Sequence, residues 1–219
     1  MVLSKSEVHE HPQSLGEEIA NSLSHGIGLA AALVGASFLI VAAIQQGSAS
    51  FIVGASVFAA TMVFLYLAST LYHALPSNQA KEVLLVCDHA AIFLFIAGSY
   101  TPFTLGVLRG AWGWTLFGLV WGLAVAGIAF KVIGGAVRYP RLSTGIYLGI
   151  GWLFLITAGP LWHRLPLAGL LWLLAGGVAY TVGVGFFVTE RIRYNHFVWH
   201  LFVLAGTACH FVAVWRYAG

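Results

Sequence analysis

Charge is what this sequence has least of. Of 219 residues, 8% are Asp, Glu, Lys or Arg and 60% are hydrophobic, with a mean hydropathy of +0.90. Soluble domains carry about 25% charged and about 45–50% apolar residues. A deficit of this size leaves no polar shell for a water-facing surface, so lipid must be the solvent for most side chains. Cysteine is nearly absent too. Cys87 and Cys209 are the two present, both inside apolar runs, which excludes a disulfide framework and a cysteine-paired zinc site; they read as two small buried residues. The cations form no stripe, so the net charge of +3 points to membrane orientation and not to nucleic acid, which is excluded as a partner. Met1 to Gly16 contain no apolar h-region, so no cleavable signal peptide is expected and the first membrane helix would direct insertion. Linkers, repeats and low-complexity segments are missing as well, and residues 1–219 read as one domain with a short N-terminal tail over 1–20.

What is abundant is long apolar runs. A helix needs about 20 apolar residues to cross the hydrocarbon core, and seven runs meet that length: 21–44, 51–73, 83–106, 113–133, 142–161, 167–188 and 196–216. The expected fold is therefore all-α, an integral membrane bundle of seven transmembrane helices. Breakers and charges fall between the runs, as in Gln45-Gln46-Gly47-Ser48, Pro76-Ser77-Asn78, Arg138-Tyr139-Pro140-Arg141, Arg164-Leu165-Pro166 and Glu190-Arg191-Ile192-Arg193. Many of the eight Trp lie near run ends, where indole prefers the interface. The pairs Gly106/Gly110, Gly118/Gly122 and Gly145/Gly149 have the four-residue spacing that lets helix backbones approach, and read as packing inside the bundle.

Orientation follows from the cations. Lys5, Lys81, Lys131, Arg138, Arg141, Arg191 and Arg193 fall on the N-terminal side, and Arg109, Arg164 and Arg216 on the other. The excess puts the N-terminus in the cytoplasm and the C-terminus outside, the reverse of G-protein-coupled receptors.

Ionisable side chains at membrane depth are costly enough to point to function. Here they are His25, His73, Asp88, His89, His196, His200 and His210. His73 ends the second run, Asp88 lies just inside the third, and His196 and His200 begin the seventh. Alternating crossings bring all four to one end of the bundle. His196 and His200 are i, i+4 and share a helical face, a spacing suited to two ligands of one zinc ion. Ser69 and His73 repeat that spacing. Three histidines with one open position make the shell of a catalytic zinc, and Asp88 could accept a hydrogen bond from its water or orient a ligand. His89, His163 and His210 read as interhelical hydrogen bonders, His210 lying about 15 Å along the helix from His200.

At these residues the chain resembles the hemolysin III family, the bacterial branch of the progestin and adiponectin receptor superfamily. The resemblance runs from Glu18-Ile-Ala-Asn21-Ser-Leu-Ser24-His25 through Ser69-Thr-Leu-Tyr72-His73 and Asp88-His89-Ala-Ala-Ile. It continues in Ala97-Gly98-Ser99-Tyr100-Thr101-Pro102 and ends at His196-Phe-Val-Trp199-His200. It implies seven helices with the N-terminus inside a bacterial plasma membrane, and zinc held by His73, His196 and His200 beside Ser69 and Asp88. The wider group includes alkaline ceramidases, which implies a zinc-dependent hydrolase of a lipid amide or ester. Bacterial members are named for haemolysis, and some are linked to membrane energetics and lipid homeostasis.

On the enzyme reading, zinc lowers the pKa of its water and polarises the carbonyl. Asp88 takes the proton, Ser69 hydrogen-bonds the water or oxyanion, and membrane lipid enters from the bilayer. The alternatives are a sensor or regulator with structural zinc, and a cytolytic pore. No helix carries a continuous polar stripe to line a pore, and the seventh run has no Lys for a retinal Schiff base.

Overall fold

The computed structural model describes residues 13–133, 140–189 and 191–219. Lys5 and Arg138 of the cation count lie outside the described residues, as do Tyr139, Glu190 and the side chains of Pro140 and Arg141. Seven helices are long and apolar enough to cross a membrane: Leu15–Gln46, Ala49–Ala74, Gln79–Leu108, Gly110–Val132, Leu142–Arg164, Leu167–Phe187 and Asn195–Tyr217. They are the first to seventh spans below. No strand occurs among the described residues.

The ends of the spans follow local chemistry. The first span starts six residues before the expected 21, because Ser14 and Glu17 close a capping box: the Ser14 side chain receives the Glu17 N–H, and Glu17 reaches back to the Ser14 N–H at 2.9 Å. It stops at Gly47, whose φ of 76° suits a residue without Cβ and whose N–H caps the Ala43 and Ile44 carbonyls. The Asn78 side chain caps the third span by accepting the Lys81 N–H at 3.0 Å. Near its far end Pro102 has no N–H to donate back along the helix, and the chain widens into a π-helical turn, Phe103–Leu108. The fifth span is not one continuous α-helix. A helix Pro140–Gly151, with proline at its first position, gives way to a 3-10 segment Leu153–Thr157 and a short helix Ala158–Arg164. Tyr100 braces the break: its hydroxyl lies 2.9 Å from the Ile150 carbonyl and 2.7 Å from that of Gly151, and receives the Phe154 N–H at 3.0 Å.

The first span packs along the second, the second along the third, and the sixth along the seventh, while the first also meets the seventh. The fifth and sixth spans barely touch. In lipid no hydrophobic force drives helix against helix, so close packing at small residues has to supply the contact. A Cβ at Gly54 would stand 2.7 Å from the Pro102 Cα, and one at Gly28 would stand 2.8 Å from the Tyr66 ring. Gly127 and Gly183 are likewise filled by Phe93 and by Trp199 with Phe202. Two of the glycine pairs expected to pack do not. A Cβ at Gly118, Gly122, Gly145 or Gly149 would meet nothing within 4 Å, so these glycines face away from the bundle. Of the pair Gly106/Gly110, Gly106 abuts the Ala218 carbonyl, whereas Gly110 takes a φ of 59° at the corner between two spans. Spacing alone could not tell an inward glycine from an outward one. Cys87 and Cys209 are half-buried free thiols, not fully buried ones.

The lipid-facing surface is apolar all round, with Phe38, Trp114, Trp162 and Leu171 more than half exposed. Lys131, counted above among the cations of the N-terminal side, is 8% exposed inside the fourth span, with its Nζ 6.0 Å from the Tyr147 ring centroid.

Candidate metal centre

At the end of the bundle where the first span begins, the second and seventh spans bring His73, His196 and His200 together. Their ring centroids are separated by 5.0 Å (His73 to His196), 5.1 Å (His73 to His200) and 4.7 Å (His196 to His200). One ring nitrogen from each lies within 4.8 Å of the others, and among the described residues this is the group able to hold a metal ion. The seventh span enters the site through Tyr194, a non-glycine residue at φ 59°. The Glu17 carboxylate holds that turn by accepting the Tyr194 N–H at 3.1 Å. The first span thus fixes where the seventh begins.

The tautomers of two rings follow from their partners. His73 Nδ1 lies 2.7 Å from Glu18 Oε2. A carboxylate only accepts, so Nδ1 carries the proton and the Nε2 lone pair is left for the cluster; that buried Nε2 has no protein partner. His200 Nδ1 lies 3.1 Å from Ser24 Oγ and 3.3 Å from the Asn21 carbonyl. The Ser24 proton already goes to the Asn21 carbonyl at 2.8 Å, so both oxygens accept from His200, and its Nε2 is again the bare nitrogen. Outer nitrogens tied to oxygens, with inner lone pairs converging, is the arrangement that orients histidines on a metal. The donor set therefore fits a metal ion on grounds of this geometry alone.

Two more groups sit at the same level. Asp88 on the third span is buried, and the Ser69 hydroxyl, His73 and Lys131 are the neighbours acting on its carboxylate. Ser69, one turn before His73, lies beside Asp88 without a well-formed hydrogen bond of its own. Asp88 is not one of the side chains grouped for a single ion. The structure thus brings His73, His196 and His200 within reach of one ion, with Ser69 and Asp88 beside them. His163 is exposed on the fifth span, and His210 pairs with the Leu173 carbonyl at 3.4 Å on the sixth span, both away from the cluster. His89 lines the same cavity as Asp88.

Glu18 is the residue that spacing arguments missed. Its second oxygen accepts from Lys81 Nζ at 2.7 Å, and Lys81 also donates to the Leu75 carbonyl at 3.1 Å. One carboxylate therefore joins the first, second and third spans. A signal was present: Glu18, Asn21 and His25 fall at i, i+3 and i+7, on one face of the first span's polar opening turns.

A cavity of about 140 Å³ opens from the cluster. Ser69, Asp88, His196 and His200 line one end, and Phe103, Leu108 and Leu161 the other; the wall between is almost wholly apolar. Along the seventh span it extends from His196 to His210, about 21 Å at 1.5 Å per residue. Its side lies where the fifth and sixth spans separate. There Trp152 Nε1 donates to Thr181 Oγ1 at 3.0 Å in an exposed hydrogen bond across the gap.

Fold and site together define a class: seven-span membrane proteins that gather histidines from the second and seventh spans at one end of the bundle. Residues 13–211 match the model of the family described as haemolysin-III related, and the chain belongs to that family. It is 44% identical over 204 residues to the hemolysin-3 homolog of Bacillus subtilis, covering 93% of this chain and 95% of that one. It is 43% identical over 205 residues to the hemolysin-3 of Bacillus cereus, covering 94% and 93%. The human monocyte to macrophage differentiation factor is 27% identical over 211 residues, covering 92% of this chain and 84% of the factor. No solved structure matches the chain.

Proposed function

We propose that this protein is a zinc-dependent membrane hydrolase acting on a lipid amide or ester, serving the homeostasis of membrane lipids from a site near the cytoplasmic face of a bacterial plasma membrane. The observation that carries the reading is the shared boundary between the histidine cluster and the apolar cavity. A structural metal needs no open approach, whereas here His196, His200, Asp88 and Ser69 are themselves the wall of a space that an acyl chain fits. This favours the enzyme over a sensor with a structural metal.

Three imidazoles suit zinc by ligand type and leave a fourth position free. Zinc bound there would polarise the scissile carbonyl and make water acidic enough to lose a proton near neutral pH. The residues of the chain do the rest. The carboxylate of Asp88 accepts the proton from water as general base and can return it to the leaving group. The Ser69 hydroxyl, beside Asp88 and one helical turn from His73, hydrogen-bonds the attacking water or the carbonyl oxygen. Glu18 and the Ser24/Asn21 pair keep His73 and His200 in the tautomer that presents Nε2. The apolar wall holds the acyl chain and keeps bulk water out, and the seam at Trp152 and Thr181 admits lipid sideways.

Elemental analysis of protein purified without chelators should find about one zinc per chain, and the loaded protein should release fatty acid from an N-acyl lipid in detergent or vesicles. A folded protein that stays metal-free after incubation with zinc would sink the proposal. The orientation is tested by reporter fusions: the C-terminus should read as external and the Arg138–Arg141 segment as cytoplasmic.

A further inference from the structure

An ion that fills the histidine cluster has to reach it, and the interior cavity is a poor path. His200 and the half-buried His196 meet that cavity. Its wall is almost wholly apolar, however, and a charge moving along such a wall finds nothing to replace its water. A second opening adjoins the cluster at the same end of the bundle. It is a groove of about 470 Å³ between the start of the first span and the turn after the second, and Gln13, Glu18, Ser22, His73, Ser77 and Lys81 help to line it. The His73 side chain is itself wholly enclosed, whereas those of Glu18 and Lys81 are 21% and 14% exposed. The Glu18–Lys81 pair therefore stands between the His73 ring and the groove.

That position already holds a cation. Lys81 Nζ donates to Glu18 Oε1 at 2.7 Å and to the Leu75 carbonyl at 3.1 Å, and lies over the Tyr72 ring, 4.8 Å from its centroid. A carboxylate, a carbonyl and an aromatic face are surroundings that favour positive charge. The other Glu18 oxygen holds His73 Nδ1 at 2.7 Å. An ammonium on a flexible stem is thus moored to the carboxylate that orients a ligand histidine. From this we infer that the cradle of Glu18 and the Leu75 carbonyl is the loading site for the metal, with Lys81 as its tethered plug. A hydrated zinc ion enters along the groove, displaces the ammonium from Glu18, and passes to the histidines as Glu18 lets the His73 ring turn. While Lys81 is in place its bulk and its charge keep other cations out. The pair is partly exposed and so is weakly held, which lets one cation replace another. The inference rests on the metal reading of the cluster and adds the route by which the ion arrives and leaves.

The test uses the full-length protein in detergent, stripped of zinc with a chelator that is then removed. Zinc uptake and release are timed in stopped flow with a fluorescent zinc indicator, and affinity is measured separately at equilibrium. Lys81→Met keeps the length of the stem and removes its charge. It should speed uptake and release alike, each about tenfold, while affinity changes far less than either rate. Ser77→Cys, made in a background of Cys87→Ser and Cys209→Ser, puts a thiol on the exposed rim of the groove. A bulky maleimide attached there should slow both rates, whereas the same label on His163→Cys, exposed on the fifth span, should slow neither. Rates that ignore either the lost charge or the label at Ser77→Cys overturn the inference and leave the metal reading standing. Faster release with unaltered uptake also overturns it, since Lys81 would then only steady a ligand. Wild-type protein that takes up no zinc defeats the metal reading and the route together.

Discussion

The two ends of the bundle use their polar side chains differently. At the histidine end, side chains bond to side chains: Glu18 to His73 and Lys81, and Ser24 to His200. At the opposite end, side chains bond to stray backbone carbonyls. Arg109 Nε donates to the Gly106 carbonyl at 2.6 Å, and Arg164 donates to the carbonyls of Val107 and Leu108. Those carbonyls lie in the π-helical turn after Pro102, where the regular helical pattern has ended. Polar groups at the far end therefore satisfy a backbone that lipid cannot hydrate. Polar groups at the histidine end bond to one another as well as to the Asn21 and Leu75 carbonyls, and His73 and His200 keep their Nε2 lone pairs turned inward. Polar side chains at the ends of this bundle thus have two roles, told apart by what they bond.

Breaking the histidine end should have the largest effect. His200→Ala or His73→Ala should abolish zinc binding in elemental analysis, whereas His163→Ala on the fifth span should leave occupancy unchanged. Equal loss in all three would mean that the ends do not differ.

Asp88→Asn comes next. It should keep the zinc and lower lipid hydrolysis by about 10²–10⁴-fold, the range for losing a general base. Zinc lost as fully as in His73→Ala would make Asp88 a direct ligand. Zinc kept with hydrolysis unaltered would favour the sensor reading.

Glu18→Gln is the finer probe. The amide can still meet His73 and Lys81 but no longer fixes the tautomer, so zinc affinity in a chelator competition should drop about 10–100-fold. An unchanged affinity would show that the ring is held by packing alone.

Smallest at the metal is Arg164→Ala. Two carbonyls lose their donor, so stability in a detergent unfolding assay should fall by about 0.5–1.5 kcal/mol with zinc occupancy untouched. A variant that unfolds at wild-type denaturant but sheds its metal would couple the two ends and erase the contrast.

The apolar runs settled the number of spans and placed most of their ends within a few residues, because in a bilayer composition and length dominate every other local signal. The same economy made His73, Asp88, His196 and His200 visible: few ionisable groups occur at membrane depth, and alternating crossings assign each a level. The first span ran longer than its apolar stretch because a capping box, not hydropathy, sets its start. The break in the fifth span was hidden for a related reason. Its residues are apolar throughout, and the Tyr100 hydroxyl that satisfies the broken backbone comes from a residue fifty positions away.

Depth is thus a property of the chain, but rotation about each helix axis is not. Whether a residue at a given level faces lipid, a neighbour or the cavity depends on which helices lie beside it. That is why outward Gly118 and inward Gly127 look alike in the sequence. It is also why Lys131 could be counted only as an orienting cation, why Glu18 could be quoted in a motif without a task, and why only the folded bundle shows His25 stacked on His200 beside the cluster.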